Sequence, residues 1–497
     1  MKSFYTNGTI LTMEDDALYA EAVCVENGRI KAVGTAGDVL KLREDSDEMI
    51  DLNGAVLMPG FIDAHSHFVG AANAMTQCDL SLCKDFGEII ELMKAFKEKR
   101  NLPGDAWIIG CNYDQNFLAE GRHPDKTVLD QISSENPVLL IHASSHMGVT
   151  NSCGLEVQGI TEATEDCPGG RYGRVAETRE PDGYMEEKAF LAFQEKLPMT
   201  SMEELMRLIG EAQKMYASYG VTTVQDGMVA KPLFQLLKYA SGAGLLKLDV
   251  VGYADVMTAA DLPETEPEYA GQYKDHFKMG GFKVFLDGSP QGRTAWMTTP
   301  YEGDDTYCGY PIHSDEKLRD YIAVALDKKQ QLLAHCNGDA AAEQYISQFE
   351  KELEARGEKD SNRAVMVHAQ LVRKDQLGRM KAIGMIPSFF VAHTYYWGDI
   401  HIKNFGAQRG SQISPVKDAL KAITSYAAYQ YHEEQEKGTI AVGKYADFVV
   451  LDKNPLETDV KALADIQVLM TLKENEVVYR REEVQKENVR EGEASHE

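Results

Sequence analysis

The sequence predicts an α/β protein built on a parallel sheet, either open or closed into a barrel. Three observations carry that expectation. From about residue 203 to residue 391, apolar strands alternate with amphipathic helices, the pattern of repeated strand–helix–strand units. Both chain ends are instead rich in short strands broken by Asn-Gly and Gly turns. The stretch from about 70 to 200 keeps neither rhythm and reads as an inserted domain over one end of the sheet.

Taken in order, residues 3–12, 19–34 and 49–57 are short strands, punctuated at Asn27-Gly28 and Asn53-Gly54. An apolar strand then runs into Pro59-Gly60-Phe61-Ile62-Asp63-Ala64-His65-Ser66-His67. Past the irregular stretch, Glu203–Tyr219 spaces Leu205, Leu208, Ile209, Ala212, Met215 and Tyr216 along one helical face, and Gly220 stops it. Strands follow at Val221–Val224, Lys247–Tyr253, Phe282–Leu286, Gln331–His335, Ala364–His368 and Met385–Val391. Ala419–Tyr431 is helical by pattern, Gly438–Asp452 and 466–480 are β-rich, and 481–497 is a charged, apolar-poor tail, frayed or disordered. The expected domains are 1–57 with 438–480, a barrel over 58–437 carrying the 70–200 insert, and the tail 481–497.

Composition narrows the partners. At 497 residues, two or three structural units are expected, and 43% hydrophobic residues suffice for a substantial core. Acids outnumber Lys plus Arg by 78 to 51, which argues against nucleic acid or an anionic membrane as partner. No run approaches the roughly 18 apolar residues that span a bilayer, and the N-terminus lacks a signal-peptide core. Eight scattered cysteines without a CxxC pair fit reduced thiols in a cytoplasmic protein. A small-molecule substrate is therefore expected, and a homo-oligomer stays open.

The chemistry lies in the histidines. Residues two apart on a strand share a face, so His65 and His67 would project together. Alone, the pair is as compatible with two exposed histidines as with half of a metal site. His335 and His368 end two further strands of the same alternating series, and Lys283 opens the run Lys283-Val284-Phe285-Leu286. Strand ends converge at one rim of a barrel, and nitrogen ligands from several strands suit zinc or a similar first-row ion.

Gly60-Phe61-Ile62-Asp63-Ala64-His65-Ser66-His67 resembles the first-strand signature of the amidohydrolase superfamily. More narrowly, the chain is similar to the family 3 branch, the YtcJ-like proteins related to N-substituted formamide deformylases. Lys283 to Ser289, His335-Cys336-Asn337-Gly338-Asp339-Ala340, His142 to His146 with Asn151-Ser152, and Gly443 to Leu451 carry the likeness, which spans about residues 3 to 480. The resemblance implies a distorted TIM barrel with a small β-sandwich from both termini, and one or two divalent metals, most simply zinc. It places His65 and His67 on one ion, His335 and His368 on a second, and a carbamylated Lys283 between them. It also implies pocket roles for Tyr113, Asp114 and His146.

One departure stands out. The family carries an aspartate at the end of the eighth barrel strand, as metal ligand and proton shuttle. Residues 394–437 hold no apolar strand ending in Asp, so the eighth strand is expected to be missing, as though Lys417-Asp418-Ala419-Leu420 had been joined directly to the final helix. Asp399, Asp418 and His393 are the candidate substitutes, and the spacing selects none of them. The expected function is metal-dependent hydrolysis of a C–N bond in an amide, formamide or cyclic amide. The alternative is a catalytically impaired relative that keeps the fold.

Overall fold

The computed structural model describes the chain apart from residues 144–146, 167–169, 199, 291–292, 391, 414–418 and 483–497. The chain divides into two compact units, Met1–Phe68 with Gly210–Glu497, and Val69–Ile209.

The first unit is organised by seven strands: β1 (Phe61–Asp63), β2 (Val221–Val229), β3 (Asp249–Asp255), β4 (Phe277–Phe285), β5 (Gln331–Cys336), β6 (Val365–His368) and β7 (Ile386–Phe389). They form one sheet in the order β7-β6-β5-β4-β3-β2-β1, and every neighbouring pair is parallel. Central strands such as β3 and β6 are buried along their whole length, because helices cover one face and the sheet's own interior the other. Ile62 of β1, Tyr253 of β3, Leu333 of β5 and Val367 of β6 meet in a single apolar cluster. A flat sheet could not bring its first and sixth strands together, so the sheet is curled into a half-barrel.

The connecting helices α1 (Met202–Ser218), α2 (Lys231–Gly242), α3 (Asp315–Asp327), α4 (Asp339–Arg356) and α5 (Lys374–Ala382) follow from their sequences. The Ser314 side chain caps α3 by accepting the Lys317 amide, and Gly357 ends α4 in the left-handed conformation. Gly220, between α1 and β2, has φ +82°, and a Cβ there would lie 2.7 Å from Val449.

Beyond β7 the chain forms α6 (Ala392–Gly410), broken at Trp397 and Gly406, then α7 (Ala419–Ala422) and α8 (Ser425–Gln430). Among the described residues, none between 390 and 447 forms a strand. Two expectations need correction here. The seventh strand stops at Phe389, and His393 lies in the first turn of α6. The helix expected over Ala419–Tyr431 is two short helices, because the linker at Ile423 turns its carbonyl outward to accept the Ile62 amide of β1 at 2.9 Å.

Chain termini meet in two further sheets. Lys2–Thr6, Ala22–Glu26, Arg29–Gly34 and Glu48–Asp51 form one; Thr9–Leu11, Tyr19–Ala20 and Val56–Pro59 join Phe448–Leu451, Val468–Lys473 and Glu476–Arg480 in the other. Tyr5 and Val23 of the first share a core with Leu57, Phe448 and Leu472 of the second. The unit Val69–Ile209 has a separate mixed six-stranded sheet and its own core around Ile89, Met93, Ile108 and Leu140. The seven described cysteines are unbonded, and among the described residues no helix is long and apolar enough to cross a membrane.

Candidate metal centre

His335 and His368 stand at the C-terminal ends of adjacent strands, β5 and β6, with His335 Nδ1 3.1 Å from His368 Nε2. His65 packs edge-on to His368, ring centroids 4.5 Å apart, and His67 lies 6.3 Å from His65. Lys283, near the end of β4, is fully buried, and its ammonium lowers the proton affinity of all four imidazoles. The four strand-end histidines and Lys283 are therefore brought together in one cluster.

His65 and His67 do not sit on a strand face as expected. β1 ends at Asp63, and the chain bends through Ala64, His65 and Ser66. That bend is held from several sides. Gln225 of β2 and Gln430 of α8 both donate to the Ala64 carbonyl, at 3.0 and 3.2 Å. Tyr431 Oη donates to the Asp63 carbonyl at 3.2 Å, and the Gly227 amide to Ser66 O at 3.0 Å. His368 is fixed differently: it and Ala369 both have positive φ, +70° and +46°, which L-residues adopt at a cost. Such strain persists where the surroundings over-determine it, here at the ring that bridges His65 and His335.

The electrostatics favour uncharged ligands. Burial, then the charge of Lys283, holds His335 at about 4 and pushes His65 well below a usual imidazole; burial, then His65 and His335, does the same to His368. Burial alone pulls Lys283 down to about 7. Near neutral pH the imidazoles are therefore in the form that ligates cations. His65 Nδ1, His368 Nδ1 and Lys283 Nζ are buried with no hydrogen-bond partner, each a cost of roughly 1–3 kcal/mol unless something else binds it. Zinc–nitrogen distances of about 2.0–2.1 Å in a tetrahedron put two ligand nitrogens about 3.4 Å apart, close to what His335 and His368 present. The residues fit a divalent cation.

Three neighbours surround the cluster; of these only His393 was singled out by the sequence. Asp287 accepts the amides of Asn337, Gly338 and Trp296 at 2.7–3.0 Å, and burial raises its carboxyl to about 7. Asn337 Nδ2 lies 3.0 Å from His335 Nε2. His393 stacks on His368 at 5.1 Å with its Nδ1 buried and unpartnered. Asp399 is exposed, and Asp418 lies outside the described residues.

The expected pocket residues belong to the other compact unit. There Tyr113 Oη lies 3.0 Å from His123 Nδ1, and Asp114 lies 3.6 Å from His142 Nε2. His146 lies outside the described residues.

Among the described residues, the one carboxylate–imidazole set with ligand atoms within 4.8 Å of one another is Asp249, His276 and Glu474. It sits at the opposite, N-terminal end of β3. Burial raises the Asp249 carboxyl, but Lys437 and Lys473 more than reverse this and hold it well below the usual range. Its oxygens already meet Lys437 at 2.5 Å, Lys473 at 3.0 Å and His276 at 2.8 Å. An ion there would have to displace two buried ammonium groups, so the strand-end cluster is the better cation site.

The sequence profile of the Amidohydrolase family matches residues 48–422 and again 414–479. The chain belongs to the amidohydrolase family. Similar relatives include the protein YtcJ of Bacillus subtilis, 27% identical over 96% of this chain and 99% of its own length. N-substituted formamide deformylase of Arthrobacter pascens is 24% identical over 96% and 98%. An uncharacterized metal-dependent hydrolase from Pyrococcus furiosus shares the fold, with TM-score 0.74 and 23% identity over 92% of this chain and all of its own. One detail bears on the segment after β7. The family match falls in two pieces that overlap at 414–422.

Proposed function

We propose that this chain is a metal-dependent hydrolase acting on a C–N bond of an amide, formamide or cyclic amide. The observation that carries this is the facing pair His335 Nδ1 and His368 Nε2, 3.1 Å apart, beside a buried, partnerless Lys283. Family membership supports the hydrolase, and the name of the Arthrobacter pascens relative supports the formamide class. His65, His67, His335 and His368, with Lys283, would hold one or two divalent ions, zinc by the chemistry of the nitrogen donors. Such an ion supplies Lewis acidity, polarising a carbonyl and acidifying water. Burial brings Lys283 to about 7, so a large share of it is the free amine near neutral pH, the form that would add carbon dioxide and release a proton to give a carbamate. Gln225 and Gln430 hold the His65 bend in place, and Asp287 holds the loop behind His335. Of the candidate substitutes for the family's aspartate, His393 stacks on His368, which supports it as the proton acceptor. A small-molecule substrate, a cytoplasmic setting and the absence of nucleic-acid or membrane partners belong to the same proposal.

Within this proposal the barrel lacks its eighth strand. The family match in two pieces and the seven described strands of the sheet support that reading. A general base commonly contributes roughly 10²–10⁴-fold, so turnover would fall while metal binding persists.

Elemental analysis of purified protein, with release of amine from a panel of formamides, amides and cyclic amides, tests the function. We expect about one or two equivalents of metal, with at least one lost in the variant His335→Ala with His368→Ala. His65→Ala with His67→Ala should likewise lose an ion. Undiminished metal in both double variants, or none in the parent after loading, would sink the assignment.

A further inference from the structure

Ser66 stands between His65 and His67, and its hydroxyl is engaged on two sides. Its Oγ lies 2.5 Å from the Oη of Tyr216, on α1. The same hydroxyl hydrogen-bonds the Asp63 carboxyl, which also accepts the His65 amide at 3.2 Å. Counting hydrogens gives each bond its direction. An ionised carboxylate only accepts, so the single Ser66 hydrogen goes to Asp63. Ser66 Oγ then offers Tyr216 only lone pairs, and the phenol must donate. The bonds therefore run from Tyr216 to Ser66 to Asp63, and Asp63 holds the His65 amide. The backbone around Ser66 is tied to β2: the Gly227 amide donates to Ser66 O at 3.0 Å, and His67 forms an antiparallel bridge with Asp226.

We infer that Tyr216 is a positioning residue of the metal site, whose phenol, through Ser66 and Asp63, fixes the bend from which His65 and His67 reach an ion. The inference rests on the reading of those two histidines as ligands. By its spacing on α1, Tyr216 is one more buried residue of an amphipathic helix, with its ring 5.9 Å from that of Phe68. A phenylalanine would fill that place equally well. What the phenol adds is a hydrogen for a bend that has no strand ladder of its own. Gln225, Gln430 and Tyr431 hold the carbonyls of Asp63 and Ala64, on the approach to His65. Tyr216 reaches the residue between the two imidazoles. Groups that orient metal ligands from behind typically change affinity or activity by roughly 10–100-fold when removed.

Cobalt(II) is the probe, because its visible absorption reports the geometry of its ligands. The metal-free full-length chain and its variants are titrated with cobalt at pH 8, and their thermal midpoints are measured without metal. Tyr216→Phe keeps the ring and its packing on Phe68. We expect a thermal midpoint close to the parent's, cobalt affinity roughly ten-fold or more weaker, and a changed cobalt absorption band. Ser66→Ala should lose at least as much affinity, and Ser66→Thr, which keeps a hydroxyl, should recover most of it. Tyr216→Phe with Ser66→Ala should bind no more weakly than Ser66→Ala alone, since the phenol acts through that hydroxyl. Parent-like affinity and spectrum in Tyr216→Phe, or in Ser66→Ala, would overturn the inference and leave the metal assignment standing. So would losses that simply add in the double variant, because the phenol would then act by another route. A parent that takes up no cobalt would overturn the ligand reading, and this inference with it.

Discussion

Lys283 concentrates the residue-scale chemistry. Its ammonium is fully buried without a hydrogen-bond partner, and burial brings it from 10.5 to about 7. Between those values the unfolded chain holds a proton that the folded chain has lost, so stability rises with pH across the window of about 7 to 10.5. At pH 7 most of that penalty is present, on the order of 4 kcal/mol. Lys283→Met should therefore stabilise the metal-free protein by a few kcal/mol at pH 7, and the gain should vanish near pH 10. Urea unfolding at the two pH values measures this, and a pH-independent difference would place the lysine in a solvated or paired setting. A second residue-scale effect lies next to the cluster. Ala369 sits at φ +46°, where a Cβ costs roughly 1–2 kcal/mol. Ala369→Gly should raise the thermal midpoint; a fall would mean the lost methyl contacts outweigh the backbone strain.

At the scale of elements, most strands were legible because they are apolar runs buried on both faces. What failed were the places where tertiary bonding overrides pattern. β1 stops before His65 because Ala64 is held by two glutamines 161 and 366 positions away. Neither Gln225 nor Gln430 carries any local mark of that role. The histidines proposed as ligands were legible because each closes or follows an apolar strand; Asp287 was hidden because it accepts from the backbone amides of Trp296, Asn337 and Gly338. The splice expected at Lys417–Leu420 was read from the absence of an apolar strand ending in Asp over residues 394–437. Inserting a family-length segment with its aspartate between Leu420 and Lys421 should cover the β7 edge and raise both the thermal midpoint and the rate of amide hydrolysis. If the present chain already turns over as fast as the lengthened one, the segment is dispensable.

On the scale of the whole molecule, acid should act through the buried imidazoles. His65, His335, His368 and His393 are all held below the usual 6.5, so the unfolded chain binds about four protons there that the folded chain refuses near pH 5. Asp63 and Asp287, raised by burial to about 6 and about 7, oppose this by taking about two protons on folding. His67, His123, His142, His313, His401 and His432, also held low by burial, add to the histidine side, so stability rises with pH between about 5 and 6. His335→Ala with His368→Ala removes about two of the refused protons, so the slope should fall by roughly 3 kcal/mol per pH unit over that range. A slope unchanged from the parent would show that acid sensitivity originates elsewhere. The bond from Ile62 to Ile423 has a consequence in time as well as in space. Its two ends are made 361 residues apart, and at about 5–20 residues per second a ribosome needs roughly 20–70 s to travel between them. Through that interval the strand leading to His65 and His67 can dock on β2 but cannot have its outer edge covered. The first half of the proposed metal site should stay open to chaperones until the last quarter of the chain has emerged.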